Sequence, residues 1–73
     1  MPRRLTAIIH REGDGFVALC PELDVASQGA SVEEATANLR EAALLFLESA
    51  DASEVDQRLH GEVFVTRLDL VRG

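Results

Sequence analysis

The stretch EVFVTRLDLV, Glu62–Val71, alternates along its length and sets Phe64, Thr66, Leu68 and Leu70 on one side, which is the period of a β-strand. Whether it closes a sheet decides the fold. Immediately before it, residues 51–61 (DASEVDQRLHG) are polar and end in Gly61, so they read as a connection with room for one helical turn from Ser53 to Leu59. Further back, Val32, Ala35, Leu39, Ala42 and Phe46 recur at spacings of three and four, and Thr36, Ala43 and Leu47 widen the same stripe. This spacing predicts a helix from Val32 to about Ser49. Ser31 followed by Glu34 is a capping box at its start.

Upstream the period changes to two. LTAIIH (Leu5–His10) and FVALC (Phe16–Cys20) flank a reversal supplied by Gly13, Asp14 and Gly15, a hairpin signature. Pro21 interrupts ladder donation, and VASQ (Val25–Gln28) is long enough for a third strand before Gly29. The expected order is β-β-β-α-β within a single domain spanning residues 1–73. In an antiparallel meander the third strand points the same way as the first, so the helix acts as a crossover to a parallel last strand. A right-handed return lays that strand beside the first. The sequence thus predicts an α+β fold: a four-stranded mixed sheet of order 3-2-1-4 with one helix on one face.

That architecture leaves apolar surface uncovered. If His10 lies opposite Phe16, then Thr6, Ile8, Phe16, Ala18 and Cys20 share one sheet face, and Leu5, Ala7, Ile9, Val17 and Leu19 share the other. One helix covers only one of them. On the helix, Leu44 and Leu45 fall off the stripe, among Glu33, Arg40, Glu41 and Glu48. Single exposed leucines are ordinary. Two adjacent ones, on a chain too short to supply another layer, favour self-association as a homodimer or homotetramer. The expected oligomer interface comprises Ile8, Phe16, Ala18, Leu44 and Leu45.

Composition excludes more than it assigns. A chain of 73 residues with 13 acids, 7 bases and a net charge of −6 repels a phosphate backbone, so direct nucleic-acid binding is disfavoured and a basic protein is the natural complement. No segment reads as a membrane span or a secretory leader, so a cytoplasmic location is expected. The single Cys20 has neither a disulfide partner nor a CxxC neighbour, and it reads as a small buried hydrophobe. His10 and His60 lack metal-ligand spacing, and no paired carboxylates sit on a strand. Ser27 and Ser31 read as turn and cap residues, with no nucleophile elbow or phosphate loop. Neither catalysis, metal nor cofactor is expected. Gly15 and Gly29 are expected to hold positive φ.

Several short motifs in order resemble the HicB antitoxin family of bacterial toxin–antitoxin modules, in its short stand-alone form. They are Asp14-Gly15-Phe16, Pro21-Glu22-Leu23, Ser27-Gln28-Gly29, and Ser31 with Glu33, Glu34, Ala35, Asn38, Leu39, Glu41 and Ala42, together covering Leu5 to Ser49. The resemblance implies a partial RNase H-like fold, self-association, and neutralisation of a small basic HicA-type RNA-cleaving toxin. Opposing charge then makes Glu12, Asp14, Glu22 and Asp24 the candidate partner-binding residues. Many members of that family carry a C-terminal DNA-binding segment, which is not expected here. Strand 1 also lacks the acid that an active RNase H-like site needs, so nuclease activity does not follow from the resemblance. Two alternatives stand beside the antitoxin reading: an orphan oligomeric domain that binds a small ligand or another regulator, and a vestigial nuclease.

Overall fold

The computed structural model describes residues 4–72. Five elements follow one another: β1 (Ile8–Glu12), β2 (Gly15–Cys20), β3 (Val25–Gly29), α1 (Val32–Ser49) and α2 (Ala52–Leu59). The strands form one antiparallel sheet in the order β1-β2-β3. This corrects the expected four-stranded mixed sheet of order 3-2-1-4 with a single helix. Among the described residues the sheet has three strands, and there are two helices. Glu62–Val71 pairs with no strand among the described residues, and its large side chains face solvent, Phe64 at 84% exposure and Leu68 at 80%. Alternation specifies which side chains share a face but not which strand completes the ladder. The extended tail leaves its mark on the overall dimensions. The radius of gyration is 14.3 Å, against about 11 Å for a compact chain of this length.

The β1–β2 hairpin closes on a two-residue turn, Gly13-Asp14, with Glu12 opposite Gly15. Gly13 holds φ +59° and Asp14 does not share it, the requirement of a II′ turn. That closure sets His10 opposite Val17 and Arg11 opposite Phe16. The expected pairing of His10 with Phe16 is therefore displaced by one residue, and a one-residue slip exchanges the faces. Ile9, Phe16, Ala18, Cys20 and Val25 pack towards α1, leaving Ile8, His10, Val17, Leu19, Ala26 and Gln28 on the opposite face.

The cap of α1 forms through its predicted residues. The Ser31 hydroxyl accepts the Glu34 amide at 3.0 Å, and Glu34 Oε1 accepts the Ala30 amide at 2.8 Å, one residue before the cap. Ala35 and Leu39 bury against the sheet, and with Ala18, Cys20 and Leu23 they form the fully buried core. This core is thin, since two of its five members are alanines. Gly29 allows the close packing of β3 on α1. A Cβ there would lie 2.5 Å from the Ala35 nitrogen and 2.9 Å from the Glu34 backbone. Gly15 is needed for a similar reason, because its Cβ would meet the Gly29 carbonyl oxygen at 2.9 Å. Neither glycine has the expected positive φ. The left-handed conformation falls instead on Gly13 and on Asp24, at φ 54°, an acid being among the few residues that adopt it at small cost.

The polar connection forms more helix than the single turn expected. α2 runs from Ala52 to Leu59 and is docked by Arg58, whose guanidinium donates to the Leu23 carbonyl at 2.6 Å, stacks over the Phe46 ring at 4.9 Å and pairs with Glu54 at 3.2 Å. Leu59 packs against the core beside it.

Candidate interaction surface

One face of the sheet carries no helix. Its centre is Ile8, Val17, Leu19 and Ala26, contributed by all three strands at adjacent register positions: Ile8 pairs with Leu19, and Leu19 with Ala26. Ile8 and Ala26 are exposed, while Val17 and Leu19 are half-buried. An apolar centre of this kind is bounded by charge at both ends. Glu12 and Asp14 are exposed at the β1–β2 turn, and Asp24 is exposed at the β2–β3 corner.

The four candidate acids therefore occupy opposite ends of β2, separated by about 17–20 Å at the rise of a strand. They do not converge on one point. Glu22 is also committed within the chain. Its carboxylate accepts the Thr6 amide at 3.0 Å on both oxygens and the Thr6 hydroxyl at 2.6 Å, and Cys20 Sγ donates to it at 3.6 Å. Burial pushes the Glu22 pKa up, but the hydrogen bonds from Thr6 and from its own amide outweigh that and hold it below the ordinary value. The clamp ties the N-terminal arm, residues 4–7, to the β2–β3 corner. Cys20 beneath it is buried, and its thiol pKa is raised by that burial and by the Glu22 charge, with the Leu23 amide offsetting part of the rise.

The five residues expected at an oligomer interface divide between different surfaces. Ala18 is fully buried under α1 and Phe16 packs on the same core, capped by the Arg11 guanidinium 4.7 Å from its ring centroid. The hairpin register removes both from the outer face. Ile8 remains on that face, and Leu44 and Leu45 are exposed on α1 as the helical spacing requires. Leu44 lines an open groove between the N-terminal arm and α1, which also contains Leu5, Ala7, Leu47, Arg4 and Arg40.

Sequence reasoning missed the Thr6–Glu22 clamp and the Arg58 anchor. Neither carries a periodic signal, because each joins residues 16 or more positions apart through a side chain meeting backbone. Asn38 lies within reach of such reasoning, being a helical amide on the sheet side, and it donates to the Gln28 carbonyl at 2.8 Å. Among the described residues, no group of three or more His, Cys, Asp or Glu side chains is placed to hold a metal ion. Nor, among them, is any helix long and apolar enough to cross a membrane.

The motif residues thus have structural tasks: Glu22 clamps the arm, Leu23 fills the core, Gly29 admits α1, Ser31 and Glu34 cap it, and Asn38 ties it to β3. No family model matches the chain, and comparison with curated proteins and with solved structures returned no match.

Proposed function

We propose that this chain is a non-catalytic, antitoxin-like binding module of the cytoplasm, one that holds and neutralises a small basic RNA-cleaving toxin and works as a self-associated assembly without metal or cofactor. The observation that carries the reading is the helix-free sheet face, with Ile8, Val17, Leu19 and Ala26 at its centre and Glu12, Asp14 and Asp24 at its ends. An apolar centre with a charged rim is the anatomy of a protein-binding surface, and an acidic rim on a chain of net charge −6 selects a basic partner. The order of motifs that resembles the HicB family supports the same partner class.

The test is RNA cleavage by a small basic RNA-cleaving toxin encoded beside this chain. Stoichiometric addition of the chain is expected to abolish cleavage. Leu19→Arg restores cleavage by breaking the apolar centre, and Glu12→Lys with Asp14→Lys weakens inhibition more at low salt than at high. Cleavage that persists in excess of the chain overturns the proposal.

A further inference from the structure

Two parts of the molecule are each incomplete, and their chemistry matches. The first is the groove of about 740 Å³ between the N-terminal arm and α1. It opens because α1 lies across β3 and β2 and barely reaches β1. Leu5, Ala7, Leu44 and Leu47 give it apolar walls, while Arg4 and Arg40 add positive charge. Alongside it, β1 pairs only with β2 and presents an outer edge of unpaired backbone donors and acceptors.

The second part is the tail from Glu62 to Val71. It is extended and unpaired, with Phe64, Leu68 and Leu70 exposed. An extended backbone is what an open sheet edge accepts, through main-chain bonds that give affinity and alternate side chains that give fit. The parity of the tail puts Glu62, Phe64, Thr66, Leu68 and Leu70 on one side, three apolar groups for the groove walls and one carboxylate for its guanidinium groups, with Val63, Val65 and Val71 on the other. Among the described residues, no other extended segment outside the sheet exposes as many large apolar side chains.

We propose that the tail of one copy of this chain docks along the outer β1 edge of a second copy, seating Phe64, Leu68 and Leu70 in its groove, and that the two copies exchange tails reciprocally. The pairing of each chain's own three strands is unchanged, and the partner's tail is added at the β1 edge. The exchange is between copies because in its own chain the tail runs from the end of α2 into solvent and pairs with no strand among the described residues, stretching the molecule to 49 Å. Reciprocal exchange closes with two-fold symmetry and leaves neither tail free. It covers the largest uncovered apolar side chains of a chain whose own core is thin. It also gives Leu44 a partner, while Leu45 stays outside the contact. The inference rests on the self-association in the proposed function and deepens it, but it uses a surface separate from the helix-free face, so toxin neutralisation by an unmutated chain that shows no exchange refutes the exchange alone.

Cross-complementation of full-length variants tests it. By light scattering at high micromolar concentration, the unmutated chain is expected to have twice the monomer mass. Phe64→Asp with Leu68→Asp removes the tail's fit, and Arg40→Glu with Leu44→Asp spoils the groove. Each variant alone is expected to associate at least about 100-fold more weakly. Mixed together they form a heterodimer, because the groove variant's intact tail meets the tail variant's intact groove. A monomeric unmutated chain, a tail variant that dimerises like the parent, or a mixture that stays monomeric overturns the proposal. Hydrogen exchange of the unmutated chain supplies a measurement that no variant's folding affects. Tail amides from Phe64 to Val71 become protected as concentration rises. Protection independent of concentration places the tail on its own chain, and absence of protection leaves it free; either result refutes exchange.

Discussion

Strand β2 and the segment after Gly61 are both extended and rich in apolar residues, yet β2 is the centre of a sheet and the tail pairs with no strand among the described residues. Both contain β-branched and aromatic residues, although GFVALC is uncharged and EVFVTRLDLV carries Glu62, Arg67 and Asp69. What separates them is position relative to a turn. β2 begins one two-residue turn after β1, so its ladder forms locally, while the tail follows α2 with no tight turn to set it against a strand. A strand is a relation between two segments, and only one segment of each relation is written in an alternating stretch.

The largest effect should come from truncating matched leucines on the two sides of this comparison. Leu23 is fully buried at the β2–β3 corner, and Leu68 is exposed in the tail. Leu23→Ala is expected to cost about 2–5 kcal/mol, a large share of the stability of so small a domain. Leu68→Ala, measured at a concentration low enough to keep the chain monomeric, should cost less than about 0.5 kcal/mol. Urea denaturation of both variants checks this, and equal losses would erase the distinction between the regions.

A smaller effect sharpens the account of the ordered half. Gly29→Ala inserts a methyl group against the first turn of α1, where the nearest atoms are backbone and cannot swing aside. The expected cost is about 1–3 kcal/mol, through separation of α1 from β3. Gly61, at the start of the tail, has open space around its would-be Cβ, with only the Arg58 carbonyl at 3.7 Å. Gly61→Ala should be close to neutral. Thermal unfolding of the pair reads out the contrast.

The smallest effect concerns pH. Glu22 has its pKa lowered in the folded chain, so the unfolded chain binds the extra proton between the folded value and the ordinary value of about 4.5. The clamp's contribution is therefore complete above about pH 4.5 and declines as pH falls through the folded pKa. Glu22→Gln should be less stable than the parent at neutral pH, with the gap narrowing as pH falls below about 4.5 and the parent's carboxylate protonates. Denaturation midpoints across that range test it. A constant gap would mean that Thr6 does not favour the charged form.

The elements with local causes could be read directly from the residues. The hairpin, the β3 segment, the span of α1 and its Ser31–Glu34 cap each depend on residues a few positions apart. Register was lost by one step because the turn uses Gly13 and Asp14 alone, leaving Gly15 to pair with Glu12, and that step moved Phe16 and Ala18 from an imagined interface into the core. The fourth strand was lost because nothing in Glu62–Val71 names its partner. Of the candidate surface, Glu12, Asp14, Asp24, Ile8, Leu44 and Leu45 are exposed. Glu22 does not fit that pattern, because an acid's role depends on which donor the fold brings to it, and Thr6 lies 16 positions away.

Cys20 gives the clamp a chemical readout. It is the chain's single thiol, buried directly under the Glu22 carboxylate, with its ionisation suppressed by burial. Alkylation requires an exposed thiolate, so labelling cannot outrun the lifting of the arm from the β2–β3 corner. The rate at which an added alkylating reagent consumes this one sulfur becomes a clock for local opening, and Thr6→Val, which loosens the clamp without touching the cysteine, should make it run faster.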